Sequence, residues 1–275
     1  MINSDLVEQV LQRLGFSHRP YIDIDGLSAV YGRWCRGVPF DNIQKRLFYS
    51  GAGEGPVPGH NSTDFFQKWV TYGTGGTCWA NSHAMHDLLA ALGFEVVRCA
   101  GTMMTSPDAV GPTHGTVIAT LDNRRYLVDG SMLTEQPVPV EEGITLEPGH
   151  PAERIRVEHR ESCWQVFWHS AHRPDGIWCR IERIDVPLAD FNKYHERTRT
   201  FSRFNSSLYV RLNQPGSTAT IVFGERVVIG PDGHLSRTTL SDEESTQSLV
   251  QDFGIAEELA ARLPVDEEPA PADPG

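Results

Sequence analysis

The sequence predicts an α+β protein: helices first, antiparallel strands in the middle, and a small mixed α/β unit at the end. Three observations carry this expectation. Up to about residue 93 the apolar residues recur at helical spacing, punctuated by polar caps and glycine stops. From Phe94 the period shortens, and runs rich in Val, Ile, Tyr and Thr alternate with turn residues. Beyond residue 206 further runs of this kind lead into one amphipathic segment that opens on a capping signature.

Residues 4–15, SDLVEQVLQRLG, read as a helix in which Leu6, Val7, Val10, Leu11 and Leu14 form one stripe. Ser4 or Asp5 can accept from its free N–H groups and Gly15 stops it. IDGLSAVYGRWCRG, residues 24–37, reads as a second helix ending at Gly37 before Pro39. Residues 50–61, SGAGEGPVPGHN, are a loop, and STDFFQKWVTYG is a short helix with Ser62 or Thr63 as its cap. Trp79, Met85, Leu88, Leu89 and Leu92 suit a further helix from about residue 78 to Leu92, stopped by Gly93.

FEVVRCAGTMM, HGTVIATLD and RRYLVDGSML then read as strands, the last two joined by a hairpin turn around Asp122–Asn123. RIRVEHR, CWQVFWHS and IWCRIERIDV add more, so the middle of the chain is an antiparallel barrel or a sandwich. YHERTRTFSRFN reads as a polar link. Residues 207–240 give strands with a PDG turn at 231–233, and SDEESTQSLVQDFGI is a final helix whose Ser241 and Glu244 match a capping box. The expected boundaries are 1–93, 94–200 and 201–263. Residues 264–275 form a Pro- and acid-rich tail with almost nothing to bury, expected to be disordered.

Composition narrows the function classes. The 275 residues are 39% hydrophobic and 22% charged, as in a soluble globular protein. The 24 Lys+Arg stand against 36 Asp+Glu, a net charge of -12, which disfavours a nucleic-acid partner because phosphate contacts need a basic surface. The N-terminus lacks a basic region followed by an apolar one, and no apolar run approaches the ~18 residues of a membrane span, so no signal peptide or membrane partner is expected. Five cysteines, an odd number without a CxxC, argue against a disulfide framework or structural zinc and for a cytoplasmic protein with reduced thiols.

Three residues stand out chemically. Cys78 falls in the first turn of its helix, where free N–H groups and the positive end of the dipole favour a thiolate and an oxyanion beside it. Gly73, Gly75 and Gly76 let the backbone pass close to a ligand. The competing reading is a cysteine that only packs, since free cysteines are among the most buried residues. A thiolate nucleophile needs a base, and the base an orienting partner. His114 starts one strand and Asp129 ends the next, so the hairpin sets them side by side. Their competing readings are a solvent-facing loop histidine and a turn-forming acid ahead of Gly130. His83 and His86 have HxxH spacing but diverge from Cys78 on the helix, so no metal site is expected. His169 and His172 read as exposed at a strand end, and Trp34, Trp79, Trp164, Trp168 and Trp178 as core. GAGEG and GTGG lack the context of a phosphate loop.

Three blocks, GVPFDNIQKR, TGGTCWANSHAMHDLLAALGFEVVRCAG and THGTVIATLDNRRYLVDGSML, resemble the arylamine N-acetyltransferase family, and residues 204–255 resemble its third domain. The resemblance spans about residues 5–263. It implies a helical bundle bearing the Cys, a β-barrel bearing His and Asp, and an α/β lid around a core like that of the cysteine proteases. It also implies ping-pong acyl transfer: Cys78 takes an acyl group from a thioester, His114 moves the proton, Asp129 orients His114, and an arylamine or related amine attacks. Acetyl-CoA or another acyl thioester is then a co-substrate, with no bound cofactor. Phe40, Trp79, Gly130 and Ser131 are the positions implied to contact substrate. The chain departs from the family pattern at Thr74, Thr77 and Ala80, where Arg, an aromatic and Glu are usual, and at DGSML, where a glycine-rich turn is usual. A related branch makes amides from chains held on a carrier protein, so an amide synthase with an acyl carrier protein as partner is the alternative. A thiol hydrolase and a non-catalytic relative are the further competing readings.

Overall fold

A computed structural model describes residues 2–106, 108–146, 155–170, 173–200, 202, 204–230 and 232–266. His172, Pro231 and the tail residues 267–275 lie outside the described residues. The architecture is α+β, and a nearly closed antiparallel barrel settles the choice between barrel and sandwich.

The first third holds α1 (Ser4–Arg13), α2 (Ile24–Gly37), a two-residue strand β1 (Phe40–Asp41), α3 (Ile43–Ser50), α4 (Ser62–Tyr72) and α5 (Cys78–Leu92). Two caps lie just upstream of where the sequence puts them. Asn3 Oδ1 accepts from the Leu6 N–H at 2.9 Å and Asn61 Oδ1 from the Thr63 N–H at 2.8 Å. Asn61 leaves the Ser62 hydroxyl free to donate to Asp87 at 2.6 Å instead. α5 is buried on nearly every side, from Cys78 through Met85 and on to Leu88, Leu89 and Leu92. A helix of that kind belongs in the middle of a protein. One flank meets Trp34, Phe65 and Phe66 of the helical core, the other lies on the first barrel strands. Gly93 ends it in the left-handed region (φ 99°), as its sequence position predicts.

The barrel comprises β2 (Glu95–Met103), β3 (His114–Leu121), β4 (Arg124–Val128), β5 (Val138–Pro139), β6 (Ile144–Leu146), β7 (Ile155–Arg160), β8 (Cys163–Ser170) and β9 (Arg173–Arg183). They run in the order β5-β4-β3-β2-β9-β8-β7-β6, every neighbour antiparallel. Cys99, Ile118, Leu127, Val157, Val166, Cys179 and Ile181 fill its interior. The β3–β4 turn is the expected one: Asp122 and Asn123 both have positive φ (49° and 61°) and Leu121 pairs with Arg124. Trp34, Trp79 and Trp168 are buried, whereas Trp164 and Trp178 are half-buried, with Arg156 and Arg160 lying over the Trp178 ring.

The polar link expected over residues 194–205 is in part a helix, α6 (Leu188–Arg197). Its buried residues, Phe191 and His195, sit four apart, and that short stripe is masked by the charges around it. Next come β10 (Tyr209–Gln214), β11 (Ser217–Val222), β12 (Glu225–Ile229), β13 (Leu235–Thr239), α7 (Asp242–Phe253) and α8 (Glu257–Ala260). The Ser241–Glu244 capping box forms as expected. A second sheet has the order β1-β10-β11-β12-β13, so Phe40 and Asp41 from the helical third pair with Arg211 and Val210. Asn42 locks this junction: its amide donates to the carbonyls of Phe204 and Ser207 and its oxygen accepts from the Tyr209 N–H. The start of the expected tail is held too, because the Arg46 guanidinium donates to the carbonyls of Pro264 and Val265 and pairs with Asp266 at 2.8 Å. Among the described residues no helix is long and apolar enough to cross a membrane.

Candidate active site

Cys78 opens α5, and a rigid loop delivers it there. Asp41 and Asn81 hold that loop from opposite sides. The buried Asp41 carboxylate accepts from the Gly75 N–H at 2.5 Å and from the Ile43 N–H at 2.9 Å. Asn81 donates to the carbonyls of Gly76 (2.9 Å) and Pro39 (3.3 Å) and accepts from the Trp34 indole N–H (2.9 Å). The glycines are required by contact: a Cβ on Gly75 would lie 1.9 Å from the Pro39 carbonyl oxygen, and one on Gly76 would lie 2.7 Å from the Ala80 Cβ. Thr74 accepts from the Gln44 amide at 3.0 Å. Burial, only partly offset by its two N–H donors, pushes the Asp41 carboxyl up to about 7.

The Thr77 side chain makes no cap hydrogen bond, so the first N–H groups of α5 have no acceptor within the helix. Cys78 itself is 8% exposed, its sulfur 4.0 Å from the Thr113 carbonyl oxygen.

His114 begins β3 and Asp129 follows β4 directly, and the hairpin register brings them together. His114 Nε2 lies 2.7 Å from Asp129 Oδ2, both residues almost fully buried. Asp129 is held in turn: Oδ1 accepts from the N–H groups of Ser131 (2.7 Å) and Met132 (3.2 Å), and its carbonyl accepts from the Tyr31 hydroxyl (2.7 Å). Burial works against a charge on the His114 ring, but Asp129 outweighs it by charge and hydrogen bond, with help from Cys179 and from a hydrogen bond to the Cys78 side chain. The ring is held well above its ordinary value. Burial likewise opposes the Asp129 carboxylate, and His114 overcomes it and holds it below the usual range. With Nε2 committed to Asp129, the ring's other nitrogen is the one left for the Cys78 thiol. Cys179 also approaches His114, but burial pushes its thiol up to about 12, and of the two thiols it is Cys78 that lines the cavity.

That cavity has a volume of about 480 Å³. Thr77, Cys78 and Trp79 form one wall, Met103, Ala109, Val110 and Pro112 an apolar one, and Tyr194, Thr198 and Phe204 a third. Trp79 thus lines it, packed edge-on against Phe191 with ring centroids 4.8 Å apart. Phe40 does not line it and packs in a cluster with Phe204 and Tyr209. Gly130 and Ser131 do not line it: Gly130 packs on Asn81 and Trp34, and the Ser131 carbonyl accepts from Arg211. His83 and His86 both turn to Asp87, which also binds Arg98 and Ser62. Among the described residues no group of three or more His, Cys, Asp or Glu is placed to hold a metal. Sequence reasoning missed Asp41, Lys45 and Asn81. Asp41 and Asn81 act through backbone atoms of distant segments, a partnership that leaves no periodic trace.

A thiol beside a buried imidazole–carboxylate pair, at a helix N-terminus facing a cavity, can attack a carbonyl and hold the acyl group as a thioester. Comparison with known proteins bears on this. A family model described as N-acetyltransferase matches residues 23–262. The chain is 30% identical over 154 residues to an arylamine N-acetyltransferase of Mycolicibacterium smegmatis, covering 53% of this chain and 54% of that protein. It is 27% identical over 125 residues to proansamycin X synthase of Amycolatopsis mediterranei, covering 45% and 46%. The matches thus span about half the length of these curated relatives. In structure it resembles Mycobacterium marinum arylamine N-acetyltransferase in complex with CoA, with a TM-score of 0.79, 19% identity, and coverage of 94% of this chain and 98% of that one. At that identity the likeness establishes the fold.

Proposed function

The chain belongs to the arylamine N-acetyltransferase family, and on that premise we propose that it is a ping-pong acyltransferase whose triad is Cys78, His114 and Asp129. The observation that carries the reading is the placement of the Cys78 thiol between the free N–H groups of α5 and the buried His114–Asp129 pair. In the first half-reaction His114 accepts the Cys78 proton and the thiolate attacks the carbonyl of an acyl thioester of coenzyme A, acetyl-CoA being the simplest. The oxyanion forms beside the first N–H groups of α5. It collapses as the donor C–S bond breaks, and His114 passes its proton to the departing thiol. In the second half-reaction an arylamine or related amine attacks the acyl-Cys78 carbonyl, His114 takes the amine proton, and Cys78 is released as the thiol. Asp129 keeps the ring in the tautomer that can accept from sulfur. The CoA complex of the Mycobacterium marinum enzyme supports coenzyme A as the carrier. The apolar cavity wall supports an aromatic acceptor of low basicity, neutral near pH 7 and able to attack without losing a proton first.

The experiment separates the half-reactions. Enzyme loaded with acetyl-CoA is freed of excess donor and then mixed with an arylamine. Amide forming in amount equal to the acyl-enzyme, faster than acid forms in buffer alone, supports the reading. Acid released at a rate the amine does not change makes the protein a thiol hydrolase instead. A second reading, an amide synthase fed by an acyl carrier protein, is favoured by the proansamycin X synthase relative. Acylation by a carrier-bound chain but not by acetyl-CoA would select it.

A further inference from the structure

Two charged side chains that the triad does not use line the cavity, the exposed Arg197 and the buried Lys45. Lys45, on α3, lines the same cavity as Cys78, yet the residue is only 4% exposed. Its Nζ donates to the Thr198 hydroxyl at 3.0 Å and to the Thr198 carbonyl at 3.3 Å, which uses two of its three protons. Among the described residues it forms no ion pair with a carboxylate. The charge of Glu196 acts on it, but the oxygens of Glu196 are taken by the Val57 N–H and by Arg199. The buried His195 is held neutral, its ring pushed down to about 3 by burial and then by the charge of Lys45. Burial lowers the Lys45 ammonium to about 8, with Cys78 and Glu196 working against that. A buried ammonium without a counter-ion is costly, and an anion delivered through the cavity relieves it.

We propose that Lys45 makes a carboxylate subsite beside Cys78, so that the acyl group this enzyme takes up is the monoacyl thioester of a short dicarboxylic acid. The inference rests on the acyltransferase reading and names the acyl class within it. The step balances as for acetyl: the Cys78 Sγ–C bond forms, the donor C–S bond breaks, the leaving thiol takes the proton from His114, and the distal carboxylate stays unreacted against Lys45. The acyl group is favoured over the amine as the source of the carboxylate. It is bonded to Cys78 between the half-reactions, in the cavity that Lys45 also lines and near enough for Cys78 to act on the Lys45 charge, whereas Met103, Ala109, Val110 and Pro112 suit an uncharged ring.

The test needs no amine. Wild-type enzyme is offered equal concentrations of acetyl-CoA and succinyl-CoA, and in a second arm acetyl-CoA and malonyl-CoA, and early adducts on Cys78 are counted by intact mass. One charge-assisted hydrogen bond corresponds to about a tenfold preference for at least one dicarboxylic donor. Lys45→Gln, which can still donate to Thr198, lowers that preference about tenfold, and Lys45→Arg retains more of it. Melting temperatures of both variants monitor the tether to α6. Equal loading in the wild type, or an excess of acetyl in both arms, overturns the proposal and leaves acyl transfer standing. A preference that Lys45→Gln does not change also overturns it, as does a Lys45-dependent preference that appears only at transfer, for 4-aminobenzoate over aniline. No adduct from any donor overturns this proposal and the acyltransferase reading together.

Discussion

Replacing Asp129 by Asn probes the site with almost no change in shape. In the native side chain Oδ1 accepts from the Ser131 and Met132 N–H groups at 2.7 and 3.2 Å, and Oδ2 faces His114 Nε2 at 2.7 Å. An Asn must keep its oxygen toward those two N–H groups, because its NH2 there would meet two donors. The NH2 is therefore turned to His114 Nε2, which has to be unprotonated to accept it. The ring proton moves to the nitrogen facing Cys78, and the imidazole can no longer take the thiol proton. The equivalent exchange in a serine protease triad lowers turnover about 10⁴-fold. A thiol ionises more readily than a serine hydroxyl, so the loss here is about 10³-fold, or about 4 kcal/mol of barrier. Stopped-flow or quenched-flow acylation with intact-mass detection measures it, and a near-native circular dichroism spectrum shows that the fold persists. Acylation within tenfold of wild type in a folded Asp129→Asn protein would refute the assigned role of Asp129.

The same variant has a signature in stability. Because the fold raises the His114 ring, that contribution is fully present below about pH 6.5 and fades as pH rises through the raised value. Because it lowers Asp129, that contribution is present above about pH 3.9 and fades as pH falls. The stability gap between wild type and Asp129→Asn in urea melts is thus widest between about pH 4 and 6.5, and a gap that keeps growing toward alkaline pH contradicts the pairing. Asp41→Ala strands the buried N–H groups of Gly75 and Ile43; it should cost about 2 kcal/mol in urea unfolding and slow acylation by loosening the loop before Cys78. Gly115→Ala places a Cβ 2.7 Å from the Trp79 ring and 2.8 Å from Phe191. Both rings are buried, so it should cost about 1–3 kcal/mol and raise the KM of the amine as Trp79 shifts. Ser241→Ala removes the capping box of α7; it should lower stability by about 1 kcal/mol and leave the acylation rate unchanged.

The placement of Cys78, His114 and Asp129 could be read in advance because it follows local rules. Cys78 at a helix start is announced by Gly73–Gly76 before it and the Leu88, Leu89, Leu92 and Gly93 pattern after it. His114 and Asp129 fall together because Asp122 and Asn123 adopt the positive φ their types favour and so fix the hairpin register. Non-local hydrogen bonds were not legible. Asp41 reaches 34 residues along the chain to Gly75, and Asn42 reaches 162 residues to Phe204. Nothing in their spacing marks these contacts. α6 escaped because its apolar face is only Phe191 with His195, a stripe too short to outweigh the surrounding charge. Lys45 carries no signal of its own in the sequence, and only tertiary packing buries it at the cavity lining.

The account turns on whether Cys78 carries the acyl group. Wild-type protein and Cys78→Ala are mixed with acetyl-CoA, quenched, and mapped by peptide mass spectrometry. The account predicts one acetyl group on the peptide containing Cys78 in the wild type and none on any peptide of the variant. An unmodified wild-type protein, or an acetyl adduct that survives in Cys78→Ala, would contradict it.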